Sequence, residues 1–505
     1  MLDLALIRAE PARIKAALAR RGVGPAAVDA VTDADGRRTE RQEVCEVLRF
    51  RRRRISEEVA RAKAGGGETA DLEELGRAVG DQLRAVEAEI ADLEARRQEA
   101  ILALPNLPTT DVPDAAPEPA ARLSAETAAK AEAAGYSVPA PASPRWPKPF
   151  APLPHWDLMQ LLDLAAPPET PGLGRRFLIW RGRGARLVRA LLGFMLDLHA
   201  REFGYEEVRA PALASRAALT GSAHLPLLED KMYALHEPAA EAAGDPPRDE
   251  HGLPASRAAR AGDLFLAPRA EPHLANLYAG QTLEGTALPV RLVAAGPAFR
   301  REAAPGGAAG RGLLRLHEFD TVELFAFCRP DQGESELEHA VAAAEAVLAR
   351  LDVPHRRRLR PAPQLSHAAA KTVDLEVWAP GMPTEAKGEG RASGDKGGGA
   401  LEFPSTLDPR PSTPDARPSP LAVGARGRWL AVAAVSSFTD YQARRTNTRY
   451  RDERGQAHLV HTVGGAAVAL PRLVAAILEN GQESDGSVRL PAALAQRVGE
   501  EVLRA

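Results

Sequence analysis

The chain has 505 residues, a net charge of −3 and 45% hydrophobic side chains. That length suggests two to four domains with ample material for a large core, and the near-neutral balance excludes a protein drawn to nucleic acid by its overall field, so any such contact must come from a local patch. Two cysteines, Cys45 and Cys328, with no Cys-x-x-Cys pair, exclude a disulfide framework and a zinc ribbon and point to the cytoplasm.

The start, MLDLALIRAEPARI, lacks the basic-then-apolar layout of a signal peptide. No apolar run approaches the roughly 20 residues of a membrane span, so no membrane partner is expected. Residues 1–107 read as a helical domain that includes an antiparallel pair of arms. The turn falls at Gly65-Gly66-Gly67. Val44, Val47, Leu48, Ile55 and Val59 give the outgoing arm an apolar seam. Leu72, Leu75, Val79, Leu83, Val86, Ile90 and Leu93 do the same for the return, which is the pattern of a two-helix coiled coil. The helix is expected to stop before Pro105 in LPNLP. Arg49, Arg51, Arg52, Arg53 and Arg54 crowd the outgoing arm, while the return arm is acidic. Such a run serves as a solvated face or as a grip on a phosphate backbone. Phosphate contacts position RNA without reading its sequence.

Residues 108–151 are rich in alanine and proline and read as a linker. Residues 152–505 alternate helical and strand-like segments, with inserts at 237–262 and 385–428. The second is dense in glycine, proline and charge and is expected to be disordered. Within 152–505, GRGARL at 182–187 has two of the three glycines of a dinucleotide fingerprint, and no HExxH or GxSxG occurs. The stretch Phe299–Glu323 reads as strand, Gly/Ala-rich loop, strand. Arg300 and Glu302 lie two apart, as do Arg315, His317 and Phe319, so each set shares a strand face. An arginine fork, a carboxylate and an aromatic plate on one face can hold a phosphate, an amine and a flat base. Read alone, the stretch serves equally as an exposed hairpin of mixed charge.

Taken in order, the pieces resemble seryl-tRNA synthetase, a class II aminoacyl-tRNA synthetase. The opening MLDLALIRAEP and the arginine-rich hairpin ending LPNLPTTDVP look like the family's tRNA-binding arm. FGYEEVRAPAL is similar to motif 1, FRRE to RLHEFDTVE to motif 2, and LPRLVAAILENGQ to motif 3. KTVDLEVWAPG and FTDYQARRTNTRYR sit between them as the family has them. The resemblance implies an α+β chain: an antiparallel coiled-coil arm and a catalytic domain with a six-stranded antiparallel sheet flanked by helices. It implies a homodimer that uses ATP, with Mg2+ if active, to make seryl-adenylate and then seryl-tRNA, gripping the long variable arm of serine tRNA. Carried over, Arg300 would hold the α-phosphate and the amino-acid carboxylate, Glu302 the adenine amine, and Phe319 the adenine ring. Arg315 and Arg472 would reach the terminal phosphates, and Glu323 and Glu271 would belong to the amino-acid side.

The amino-acid side departs from the family. Its Thr-Ala-Glu reads Arg269-Ala270-Glu271, which sets a second cation where threonine would accept from the serine ammonium. Its Tyr-Arg-Glu-Ile-Ser-Ser-Cys-Ser-Asn reads WLAVAAVSS at 429–437, so Ala431 and Ala434 replace residues of the metal and ATP site, and Ser437 the asparagine. Its Asn-Gly-Ser-Gly reads Gly464-Gly465-Ala466-Ala467. The metal ligands are therefore unknown, with Glu376 and Asp440 as candidate substitutes. The expectation is a chain that binds ATP and tRNA with serine activation weakened, altered or lost. The alternatives are a working serine-tRNA ligase, a non-catalytic tRNA-binding or regulatory module, and a structural coiled-coil protein.

Overall fold

The computed structural model describes residues 1–115, 148–166, 170, 176–235, 264–301, 312–382 and 427–505. The insert expected at 237–262, nearly all of 385–428, most of the 108–151 linker and Glu302 lie outside the described residues. Arg428, placed in the second insert, instead opens a strand. The chain divides into two units, Met1–Leu107 and Pro108–Ala505.

The first unit is helical: α1 (Leu4–Ala9), α2 (Pro11–Ala19), α3 (Ala26–Ala64) and α4 (Ala70–Ala103). The turn between α3 and α4 contains Gly66 at φ +72°, a conformation that suits a residue without a Cβ. The seam differs from the expected one. Cys45 is buried against Leu83 and Val86, with Leu48 and Ile90 alongside, whereas Val44 is exposed and Val47 is 66% exposed. A reduced cysteine packs as a small hydrophobe, so it can take the seam position and turn both valines outward. At the base, Asp35 accepts from Arg8 at 2.6 and 2.8 Å and from Arg97 at 2.9 Å, joining α1, α3 and α4. The Arg8 guanidinium, helped by Arg97, holds this carboxyl down at about 2.

In the second unit the main sheet has seven strands among the described residues, one more than expected. They are β1 (Glu206–Glu207), β2 (Val290–Phe299), β3 (Glu318–Cys328), β4 (His355–Leu359), β5 (Lys371–Ala379), β6 (Arg428–Thr439) and β7 (His461–Ala469). Their order is β1-β2-β3-β7-β6-β5-β4. All pairs are antiparallel except the short edge pair β1–β2. Strand periodicity divides the side chains between two faces. Val322, Leu324, Val373, Leu375, Val377, Val435 and Val463 share one core with α5 (Gly182–Glu202), α6 (Gly333–Arg350) and α7 (Leu470–Gly481). The residues that alternate with them form the opposite face. WLAVAAV fits this scheme because Leu430, Val432, Ala433 and Val435 pack into the core, with a register shift between Ala431 and Ala433.

His199 on α5 is fully buried, and neither ring nitrogen has a hydrogen-bond partner among the described residues. Burial pushes its imidazole down from 6.5 to about 4. The folded chain therefore binds fewer protons than the unfolded one between these values. This stability is intact above pH 6.5 and is lost as pH falls toward 4. His199→Leu is expected to be less acid-sensitive than the parent by about 2 kcal/mol at pH 5 relative to pH 8. Urea unfolding of both proteins at the two pH values measures it.

Candidate functional site

A cavity of about 100 Å³ opens on the face of the sheet away from the helical core. Its lining includes Ser222, His224, Arg269, Glu271, Arg300, Ser436, Gly464 and Gly465. Arg300 directly follows β2, with its backbone N–H donating to the His317 carbonyl at 2.8 Å. Glu271 opens a short helix, Glu271–Asn276, and Arg269 precedes it by two residues. Glu323 comes from β3, paired with Ala294 of β2 on one side and Ala466 of β7 on the other.

Arg269 is the centre of this arrangement. Its Nη1 lies 3.4 Å from Glu271 Oε2 and 3.7 Å from Glu323 Oε2. Burial works against the guanidinium charge, and Glu323 and Glu271 more than offset it. Burial raises Glu271 despite Arg269 and Gln442, and pushes Glu323 up to about 7 against the pull of Arg269. Gln442 Nε2 donates to Glu271 Oε1 at 2.9 Å, while Thr462 Oγ1 donates to Gln442 Oε1 at 2.9 Å, so Glu271 is fixed from behind. Arg269 was expected to be a surplus cation beside the substrate. Instead it is an internal counter-ion for the two carboxylates assigned to the amino-acid side.

Alanine and glycine stand at the middle of the floor, where polar ligands were expected. Across the sheet runs a row of paired positions: Glu323 of β3, Ala466 of β7, Ala434 of β6, Asp374 of β5 and Arg358 of β4. In the neighbouring row Phe325 faces Gly464, which faces Ser436. A Cβ on Gly464 would lie 2.6 Å from the Phe325 ring, and one on Gly465 only 2.0 Å from the Ala434 carbonyl. The two glycines thus let neighbouring groups approach too closely for any side chain.

The substitutes proposed for the missing metal ligands are already engaged. Glu376 is the partner of Ala431 across β5 and β6. It accepts from Arg356 Nε at 2.6 Å and lies 3.6 Å from Arg358 Nε. Asp440 accepts from Arg444 Nε at 2.9 Å, and Asp374, the partner of Ala434 and not one of the proposed substitutes, accepts from Arg360 Nε at 3.1 Å. Among the described residues no three His, Cys, Asp or Glu side chains cluster as a metal site. The two carboxylates nearest Ala431 and Ala434 are held by arginines, and alanine offers no donor. These residues do not fit a protein-held Mg2+.

The residues expected to hold the nucleotide are distributed differently. Arg300 reaches the small cavity, whereas Phe319 lines a second one of about 300 Å³ with Phe177, Leu470 and Pro471. Arg472, in the first turn of α7, donates to the Ala431 carbonyl at 2.7 Å and to the Leu314 carbonyl at 3.4 Å. Arg315 and His317 precede β3, which begins at Glu318, so the strand-face spacing read for them does not apply. Sequence reasoning missed His224, Gln442 and Arg445. His224 Nδ1 lies 2.9 Å from Ser222 Oγ. Burial, with Arg269, Arg300 and Arg445 nearby, pushes its imidazole down to about 3. None of the motifs quoted above contains His224, and the only signal of Gln442 and Arg445 was their place in FTDYQARRTNTRYR.

In the helical unit, Arg49 donates to Glu46 at 3.0 Å and to Glu87 on α4 at 2.9 Å, so it helps to bind the two arms together. Arg54 lies 3.7 Å from Glu58. Arg51, Arg52 and Arg53 are exposed and have no ion pair among the described residues. Phe50 beside them is 60% exposed.

The family model described as Seryl-tRNA synthetase N-terminal domain matches residues 1–108, and that of the tRNA synthetase class II core domain (G, H, P, S and T) matches residues 257–481. The Serine--tRNA ligase of Gemmatimonas aurantiaca is 36% identical over 511 residues, covering 100% of both chains. That of Pelotomaculum thermopropionicum is 34% identical over 99% of each. Among solved structures, the seryl-tRNA synthetase from Pyrococcus horikoshii complexed with ATP is similar at a TM-score of 0.74 and 25% identity, covering 100% of this chain and 99% of that one.

Proposed function

The chain belongs to the seryl-tRNA synthetase family of class II aminoacyl-tRNA synthetases, and from that membership we propose that it binds ATP and tRNA while its activation of serine is weakened, altered or lost. The observation that carries this reading is Arg269 between Glu271 and Glu323, at 3.4 and 3.7 Å. In a site built for an amino acid, two buried carboxylates of this kind balance the substrate ammonium. Here a side chain of the protein already supplies the positive charge. A second cation must then share the two carboxylates with a guanidinium, and it finds alanine and glycine in place of groups that would bind the serine hydroxyl. A pocket discriminates strongly for a hydroxyl only when its own polar groups are present to pair with it.

The nucleotide side supports retained binding. Arg300, Arg315, Phe319 and Arg472 are present, and Glu302 is present in the sequence. A related enzyme has been solved in complex with ATP. On this reading Arg300 holds the α-phosphate, Phe319 stacks on adenine, and Arg315 and Arg472 reach the outer phosphates once Arg472 exchanges its carbonyl partners. Mg2+ would travel with the nucleotide and not on Ala431 or Ala434. Arg51, Arg52 and Arg53 grip the RNA backbone, with Arg54 at the margin and Arg49 serving the coil. The protein acts as a cytoplasmic homodimer, with serine tRNA as the RNA partner. Domain boundaries at 107 and 151 divide arm, linker and catalytic domain.

A second reading, a working serine-tRNA ligase, is favoured by full-length similarity to enzymes of that name. ATP–pyrophosphate exchange separates the two. Serine-dependent exchange is expected to fall far below that of the Gemmatimonas enzyme under the same conditions, with ATP still retained in equilibrium dialysis. Equal rates would establish the second reading.

A further inference from the structure

The same cavity carries a statement about what it accepts, resting on the reading that Arg300 holds the carboxylate of the acid to be activated. We propose that the site activates a small carboxylic acid without an α-ammonium group, a 2-hydroxy acid being the best fit, because the Arg269 guanidinium stands between Glu271 and Glu323 where that ammonium would be.

Charge complementarity supports this. Arg269 faces Glu271 at 3.4 Å and Glu323 at 3.7 Å, and Arg300 lines the same cavity. An amino acid brings one cation and one anion, and its cation meets a guanidinium. A hydroxy acid brings only the anion, which suits Arg300. Its hydroxyl can approach Arg269 as an acceptor and Glu271 or Glu323 as a donor, so replacing NH3+ by OH turns a repulsive contact into hydrogen bonds. An amino acid with an additional carboxylate fits less well, since the Arg269 charge is already shared by two carboxylates and the α-ammonium conflict persists.

Size and lining agree. A cavity of about 100 Å³, in which one water takes up about 10–15 Å³, is of a size for a small organic acid. The absence of side chains on Gly464 and Gly465 leaves Ser436, engaged with Thr372 at 2.8 Å, as the polar group of that floor. His224 supplies a neutral imidazole at the wall, with Nδ1 engaged by Ser222.

The step balances without a further reagent. One carboxylate oxygen of the acid attacks the α-phosphorus of ATP, and a new O–P bond forms. The bond from that phosphorus to the bridging oxygen breaks, and pyrophosphate leaves with the electron pair. The product is an acyl-adenylate with an α-hydroxyl.

Matched pairs provide the test: glycine with glycolate, L-alanine with L-lactate and L-serine with L-glycerate, each pair differing only in NH3+ or OH. ATP–pyrophosphate exchange by the full-length protein is expected to run at least about tenfold faster with a hydroxy acid than with its amino partner, with acyl-adenylate detected by mass spectrometry. Arg269→Lys should keep that order and Arg269→Thr should reverse it. Faster exchange with L-serine than L-glycerate in the parent protein would overturn both this inference and the weakened-serine reading. No exchange with any of the six, with ATP still bound, would overturn this inference and leave the binding-module form of that reading intact.

Discussion

Arg269→Thr is expected to raise serine-dependent ATP–pyrophosphate exchange by up to about a thousandfold. Two unit charges of one sign held ~4 Å apart at an effective dielectric of 20 repel by ~4 kcal/mol, and that energy corresponds to about three powers of ten in rate. Threonine removes the cation and restores an acceptor. The substitution also has a structural cost. Glu271 and Glu323 are buried, and deleting the partner of a buried ion pair destabilises by about 3–5 kcal/mol. The variant should therefore melt below the parent, and serine should raise its melting temperature while leaving the parent unmoved. A variant that gains neither exchange nor serine-dependent stabilisation would show that Arg269 is not the obstacle. Ala431, Ala434 and Ala466 remain, so the gain should stop short of the rate of a family member with polar ligands at those positions.

The triple change Arg51→Ala, Arg52→Ala, Arg53→Ala is expected to weaken tRNA binding on the order of a hundredfold at low salt. The dependence of log K on log salt should flatten by about 2 to 3, since each phosphate that is no longer neutralised removes roughly 0.7–0.9 from the slope. Arg49→Ala is the internal comparison. Its guanidinium is committed to Glu46 and Glu87, so it should change the salt slope little and act on the coil instead. Because Arg51, Arg52 and Arg53 are exposed and lack ion pairs among the described residues, the triple variant should fold with nearly parental stability. An unchanged salt slope would remove these arginines from the RNA interface.

Local pattern carried much of the architecture. The three glycines at 65–67 announced the turn between α3 and α4, whereas KTVDLEVWAPG was placed only through the resemblance, although Val373, Leu375 and Val377 alternate into the core along β5. Individual seam positions were less legible. Two residues in adjacent places, Val44 and Cys45, can each serve a heptad, and the choice depends on the partner helix. For the site, the sequence revealed that Arg269 is out of place but not what it does, because its partners lie two residues away at the start of a helix and 54 positions away on β3. The same holds for Glu376, which is unremarkable in DLEVW until β4 brings Arg356 alongside. Sequence spacing reports which residues share an element, and charge neutralisation is decided between elements.

The close packing beneath the cavity limits which substitutions can supply it with a polar ligand. Gly464 faces a Phe325 ring that a Cβ would approach to 2.6 Å, with the Leu324 carbonyl at 2.9 Å. Placing an asparagine at 464, the residue that the resemblance implies there, would require Phe325, itself fully buried, to move or shrink at the same time. A lone polar replacement at 464 is thus expected to lose stability, because a Cβ there already crowds the Phe325 ring and the Leu324 carbonyl. A polar ligand at 464 therefore needs a second, compensating change at 325, so packing as well as charge sets what this pocket can hold.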